Sequence, residues 1–185
     1  MKKINVFNMV LYTLFGVMLY LSDIIFEMIP NVHGVALLIC VLSLVYRWKA
    51  IIPILIYVMI TAITSLIVSA GYSLWWIPYI YIFPILWLLV TLIPKKANIK
   101  LKVALCIIFS GLHGLLFGLM YLPFQVMMYN LNFEMALAWL SAGLVFDIIH
   151  MVGNISLSTL IYPLYKTLTR LEKSRQSKFI KAKNE

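Results

Sequence analysis

The chain has 185 residues, of which 64% are hydrophobic and 11% are charged, and its formal net charge is +9. A soluble fold of this length cannot bury so large a hydrophobic share, so the composition indicates an integral membrane protein. A positive charge also suits nucleic-acid binding, but here attraction to anionic lipid explains it better. We therefore expect a lipid bilayer and no nucleic acid as partner.

Six apolar stretches follow one another along the chain, at about 6–29, 34–46, 50–70, 79–94, 103–122 and 136–163. A helix needs about 20 residues to cross about 30 Å of hydrocarbon. The first stretch is long enough, whereas the second is too short to cross unaided. We expect the second to be tilted, extended by irregular backbone, or buried between its neighbours. Irregular backbone inside a membrane is tolerated beside protein or a cavity, so the segment 30–34 is a candidate cavity wall.

Lys and Arg residues occur only at alternate boundaries between these stretches. The 15 residues are Lys2, Lys3, Arg47, Lys49, Lys95, Lys96, Lys100, Lys102 and those from Lys166 onward. Cytoplasmic loops retain Lys and Arg in this way. The pattern predicts an all-α integral membrane protein with six transmembrane helices and both termini in the cytoplasm. We expect one transmembrane domain, 1–165, and a basic cytoplasmic tail, 166–185.

Small residues form a face on the fifth stretch, where Gly114 and Gly118 have G-x-x-x-G spacing and Gly111 precedes them. Small residues let helices approach closely in lipid, where packing drives association. This face packs either within the chain or against a partner subunit. Cys40 and Cys106 fall inside apolar stretches without metal-ligand spacing, so we interpret them as packing residues.

Polar residues inside the predicted spans are the first candidates for function, because such groups usually face the protein interior or a cavity. Asp147, His150 and Asn154 follow at i, i+3 and i+7 on the sixth stretch and share one helix face. At about 1.5 Å per residue, His113 on the fifth stretch reaches a depth similar to that of Asp147. His33 lies in the broken region before the second stretch. Asp147 and His150 either fix helix packing, bind a ligand or catalyse a reaction.

Two acids lie four residues apart near the outer end of the first stretch, Asp23 and Glu27, and share a helical stripe with Tyr20. They are either solvated at the membrane interface or part of a binding site.

Aromatic residues are concentrated in the outer turn before the fourth stretch, at Trp75, Trp76 and Tyr79. Trp and Tyr commonly anchor a protein at the membrane interface, but rings beside acids also suit the capture of a ring-bearing solute. The outer loops add Gln125 and Asn130 and contain no Lys or Arg. A neutral or cationic solute fits such a surface better than a carboxylate or phosphate, which normally recruits a basic residue.

Sequence motifs of enzymes are missing from the chain. It contains no G-x-x-x-x-G-K-[ST] phosphate loop, no H-E-x-x-H and no G-x-S-x-G. We therefore expect a protein that is not an enzyme and that has neither a metal nor another cofactor. If the protein pumps a solute, the energy comes from a partner or an ion gradient.

The last apolar segment, Phe146–Asn154 followed by Tyr162–Tyr165, resembles the final helix of the substrate-binding subunits (S components) of energy-coupling factor (ECF) transporters. The likeness extends to chain length, six helices, internal termini, a short second span and a basic tail. The segments Val45–Lys49 and Trp75–Tyr79 resemble one branch of that group. The first span departs from the family because it lacks the Ala-x-x-x-Ala pattern through which many members contact the scaffold subunit.

The resemblance implies a bacterial plasma-membrane protein that binds a vitamin, a vitamin precursor or a similar micronutrient from outside. It implies association with a membrane scaffold (T) subunit and two cytoplasmic ATPase subunits. It also implies a pocket in the outer halves of spans four to six and the odd-numbered loops. The predicted substrate-binding residues are Trp75, Trp76, Tyr79, Gln125, Asn130, Trp139, Asp147, His150 and Asn154; further candidates are Asp23, Glu27, His33 and His113.

Three functions compete for this sequence. The leading hypothesis is solute capture for an ATP-driven importer, with Asp147 and His150 bonded to a neutral or cationic heteroaromatic compound, such as a pyridoxine-like or pyrimidine-type precursor. The alternatives are an intramembrane enzyme that uses Asp147, His150 and His113 as acid–base groups, and a non-catalytic membrane assembly protein.

Overall fold

The computed structural model of the chain describes residues 6–26, 29, 32–69 and 73–184, and gives side chains as far as residue 177. The protein is all-helical, with 86% of residues in helices and no strand among the described residues. The helices are α1 (Val6–Phe26), α2 (Val35–Tyr46), a 3-10 turn (Arg47–Ala50), α3 (Ile51–Val68), α4 (Tyr79–Leu92), α5 (Ile99–Leu115), α6 (Phe117–Tyr129), α7 (Phe133–Ser158) and α8 (Ile161–Asn184).

Each of the six predicted apolar stretches is helical over most of its described residues, and the fifth is divided between α5 and α6. Four helical segments are long and apolar enough to cross a membrane, namely Val6–Phe26, Val35–Val68, Ile99–Tyr129 and Phe133–Ser158, and Tyr79–Leu92 is a shorter apolar helix. The segment Val35–Val68 contains two of the predicted spans, which the 3-10 turn joins. The all-helical membrane class is thus supported, whereas the count of six spans and their orientation stay predictions.

The short helix α2 lies at the centre of the bundle. Nine of its 12 residues are buried, and it contacts α1, α4, α5, α7 and α8. A helix that is apolar on every side must be covered on every side or face lipid. Of the three arrangements expected for the second stretch, burial between neighbours is therefore confirmed.

The turn after α2 has a backbone conformation that is uncommon for a residue with a side chain, since Arg47 has a φ of 56°. Two hydrogen bonds hold it in place. Arg47 Nη1 donates to the Ile93 carbonyl at 2.7 Å, and Trp87 Nε1 donates to the Arg47 carbonyl at 3.1 Å. The α2–α3 turn is thereby fixed to the end of α4.

Helix α8 is fixed to the beginning of α1 and the end of α2. Arg175 donates to Asn8 Oδ1 at 2.7 Å and also to Glu172, and the Tyr46 hydroxyl donates to Glu172 Oε2 at 3.3 Å. Burial raises the pKa of Glu172, but hydrogen bonds from Arg175, Gln176 and Tyr46 lower it by more. The net shift is downward, so the carboxylate stays ionised at neutral pH. Helix α1 begins at the same end of the bundle at which the α2–α3 turn, the α4–α5 connection and α8 lie. We call this end the basic end.

The glycine face of α5 packs against α7. A Cβ atom on Gly114 would lie 2.8 Å from the backbone of His150 and Met151, and one on Gly111 would lie 2.9 Å from Ile155. One on Gly118, in the next helix α6, would lie 2.5 Å from the Asp147 carboxylate. Of the two arrangements left open for this face, the structure shows packing within the chain.

Candidate functional site

A cavity of about 610 Å³ lies between α1, α3 and the segment that leads into α4. Helices α1 and α3 begin at the basic end and α4 ends there, so the cavity at their other termini lies at the opposite end of the bundle. Its described lining residues are Tyr20, Asp23, Ile24, His33, Thr61, Thr64, Ser65, Val68, Ser69, Ser73, Trp75 and Tyr79. Four of the predicted site residues, Asp23, His33, Trp75 and Tyr79, are therefore brought together.

Asp23 supplies the carboxylate of the cavity. Its Oδ2 accepts a hydrogen bond from the Tyr57 hydroxyl at 2.9 Å, and its Oδ1 lies 2.9 Å from His33 Nδ1. The His33 contact has the distance of an ion pair, but its alignment does not meet that of a hydrogen bond. The Asp23 side chain is 20% exposed, so part of its acceptor capacity is open to the cavity. Among the described lining residues none is Lys or Arg, so His33 is the basic neighbour of this carboxylate in the described lining.

Aromatic rings form the wall next to this carboxylate. Tyr79 stacks on Tyr57 with ring centroids 6.3 Å apart and meets Trp75 edge-on at 5.4 Å. Phe83 supports Tyr79 from behind at 4.8 Å. The Tyr121 hydroxyl donates to the Trp75 carbonyl and so links this wall to α6. Because the rings hold one another, they present a preformed apolar surface to a solute.

Hydroxyl groups on one face of α3 and on the residue after it form a second wall of the cavity. The sequence interpretation missed them. Thr61, Thr64, Ser65 and Ser69 recur at i, i+3, i+4 and i+8, and this spacing in an otherwise apolar stretch was the available signal. Each hydroxyl donates to a carbonyl of α3 or of Ser73, at distances between 2.6 and 3.4 Å. Their oxygens keep lone pairs that can accept hydrogen bonds from a solute.

The three histidines of the chain form a cluster that leads from the cavity into the protein. The His33 and His150 rings lie 5.4 Å apart, and the His113 and His150 rings lie 6.5 Å apart. His113 Nε2 lies 3.2 Å from the Ile82 carbonyl, an acceptor only, so Nε2 carries the proton. The described part of the chain has no group of three or more His, Cys, Asp or Glu side chains arranged so that they could hold a metal ion, and the histidine cluster is no exception.

Asp147 has a partner at the break between α5 and α6. Its Oδ1 accepts the backbone N–H of Gly118 at 3.0 Å, so it provides a carboxylate acceptor for the first turn of α6. On the same face, Asn154 Nδ2 donates to the Ser110 carbonyl at 3.0 Å. The geometry thus supports the packing interpretation of Asp147. His150, which lies between Asp147 and Asn154 in the sequence, belongs to the histidine cluster.

Replacing Asp147 with alanine is expected to destabilise the protein by about 1–2 kcal/mol, because the buried N–H of Gly118 loses its acceptor. Asparagine keeps a carbonyl oxygen and should retain more than half of this stability. The measurement is thermal unfolding of the two variants in detergent. Normal stability of both variants combined with loss of solute binding would instead identify Asp147 as a ligand-binding group.

Trp76, Gln125, Asn130 and Trp139 are not among the described lining residues of the cavity. Trp76 packs against the hydrophobic core, and Asn130 is exposed at the end of α6, where its φ is 49°. Trp139 stacks on Tyr121 at 6.4 Å, and Gln125 is half-buried on α6. The prediction for Glu27 lies outside the described residues.

The chain matches no protein-family model, no curated protein and no solved structure. The cavity, its carboxylate and its rings therefore carry the functional proposal.

Proposed function

We propose that the chain is a membrane subunit that captures a small solute from outside the cell, as the S components of ECF importers do. In this proposal six spans place the basic end in the cytoplasm and the cavity at the outer face of a bacterial plasma membrane. The observation that carries it is the cavity of about 610 Å³ at the end opposite the basic end, within the range of small-molecule sites. It contains Asp23, a ring wall and a hydroxyl wall.

The chemistry of these walls favours a neutral or cationic heteroaromatic nutrient. Asp23 offers acceptor oxygens without a Lys or Arg among the described lining residues, which suits a protonated nitrogen or an N–H donor. Trp75 and Tyr79 offer faces and edges for stacking or cation–π contact. The hydroxyl oxygens of α3 accept further donors. An anionic vitamin would meet the Asp23 carboxylate without a Lys or Arg among the described lining residues to compensate its charge.

The energy for uptake is proposed to come from other subunits. The sequence has no phosphate loop, and the likeness to S components suggests a membrane scaffold subunit with two cytoplasmic ATPases. Capture at one end and attachment at the basic end would separate the two tasks. The histidine cluster also keeps the intramembrane enzyme as the second candidate, since His150 and His113 lie near each other. Asp147, however, is bonded to Gly118.

The test is purification of the tagged chain from native membranes in mild detergent, with proteins and small molecules of the same eluate identified by mass spectrometry. We expect a scaffold subunit, two ATPases and a heteroaromatic compound. The Asp23→Asn variant serves as the matched control, since it should retain the protein partners and lose the compound. Recovery of the chain alone from nutrient-starved cells, without any solute, would refute the importer proposal.

A further inference from the structure

A second cavity, of about 430 Å³, lies at the basic end, between α8 and the beginning of α5. Solute capture makes no use of it. Lys166, Arg170 and Lys173 line it at i, i+4 and i+7 on α8 and therefore share one helix face. The described lining contains no Asp or Glu. Three cations thus converge on one groove without a carboxylate to balance them.

The acid nearest in sequence does not neutralise this groove. Glu172 lies on the opposite face of α8, because residues 168, 172 and 175 are about half a turn away from residues 166, 170 and 173. Its oxygens are bonded to Tyr46, Arg175 and Gln176. The contacts that fix α8 on one side therefore leave the three cations directed to the other side, where an external anion can bind.

The remaining lining residues suit a phosphate that is attached to a lipid. Thr169 Oγ1 is buried and has no hydrogen-bond partner, which leaves a donor for a phosphate oxygen. Tyr162 and Tyr165 provide rings of the kind found at membrane interfaces. Ile99 adds an apolar wall. A free phosphate ion has no use for this apolar part of the groove.

We infer that this groove binds the phosphate headgroup of an anionic phospholipid from the cytoplasmic leaflet. Lys166, Arg170 and Lys173 bind the phosphate oxygens as charged donors, and Thr169 adds a neutral one. The acyl chains lie along the apolar surface beside Ile99. The lipid thereby holds α8 at the membrane surface next to its contacts with α1 and α2.

The inference is tested by native mass spectrometry of the full-length protein in detergent with added phosphatidylglycerol or phosphatidylcholine. We expect retention of phosphatidylglycerol in preference to phosphatidylcholine by about tenfold or more, since the three cations of the groove favour a net negative headgroup over a zwitterionic one. Lys166→Gln, Arg170→Gln and Lys173→Gln together should remove this preference. The three side chains are exposed, so the variant should fold.

The matched control removes three charges elsewhere at the basic end, by Lys49→Gln, Lys95→Gln and Lys96→Gln, and should change the preference less than about twofold. Equal loss in the two triple variants would overturn the inference, because it would show attraction by net charge alone. Displacement of the lipid by millimolar inorganic phosphate would also overturn it, since the groove would then be a site for the free ion. Neither outcome depends on the identity of the captured solute.

Discussion

Replacing Asp23 with asparagine is expected to weaken capture of a cationic solute by about 100-fold or more. Loss of one partner of a hydrogen-bonded charge pair in a closed site typically costs about 2–5 kcal/mol. Asparagine keeps the size of the side chain and one acceptor oxygen, so the bond from the Tyr57 hydroxyl can persist and the fold should remain. The readout is the amount of solute per mole of purified protein, followed by the Kd once the solute is named.

Two further variants separate the possible reasons for such a loss. Glu134→Gln also removes one negative charge, but Glu134 is exposed in the first turn of α7 and should leave binding unchanged. Tyr57→Phe removes only the hydroxyl that orients Asp23, so we expect about a fivefold effect. Equal effects of the Asp23 and Glu134 variants would show that overall charge attracts the solute. Unchanged binding by the Asp23 variant would place the solute elsewhere in the protein.

The helices were predictable because their signal is local. Each apolar stretch is recognisable by its own hydrophobicity, and each is helical over most of its described residues. Length made burial one of three possible arrangements for α2, since about 13 residues cannot span the hydrocarbon alone, and the structure shows that α2 is buried. The glycine spacing predicted a close helix contact, but only the structure identifies α7 as the neighbour of Gly114.

The composition of the cavity was predictable only in part, because it depends on which helices are neighbours. Asp23, His33, Trp75 and Tyr79 were chosen as unusual residues in their own segments, and the fold joins them. The hydroxyl wall from Thr61 to Ser69 was missed because Ser and Thr are common in membrane helices, where they bond to the preceding turn. The resemblance predicted a pocket in spans four to six and the odd-numbered loops, whereas the described cavity lies mainly against α1 and α3.

The histidine cluster connects the cavity with the contact between α5 and α7. His33, His113 and His150 come from three separate segments, and each is predicted as a site residue from a different pattern in the sequence. Their rings form a continuous series from the Asp23 carboxylate to the α5–α7 contact. His33 lines the cavity and its ring meets that of His150 on α7, so the packing of α7 against α5 positions the ring next to His33.

Replacing Gly114 with alanine is accordingly expected to destabilise the protein by about 3 kcal/mol, at the upper end of the usual range for overpacking. The added Cβ would lie 2.8 Å from backbone atoms of His150 and Met151. Backbone atoms cannot rotate away as a flexible side chain can, so the helices must separate. The measurement is thermal unfolding in detergent together with the yield of monodisperse protein.

Two other glycines make this prediction quantitative. Gly143, on α7, has no atom within 4 Å of its added Cβ, so alanine should be neutral or should stabilise the helix by up to about 1 kcal/mol. At Gly118 the clash is with the terminal atoms of the Asp147 carboxylate, which can move at the loss of one hydrogen bond, and an intermediate cost of about 1–2 kcal/mol is expected. The order Gly143, Gly118, Gly114 would establish that the closest crossing lies beside His150. Equal stabilities of the three variants would contradict the close approach of α5 and α7.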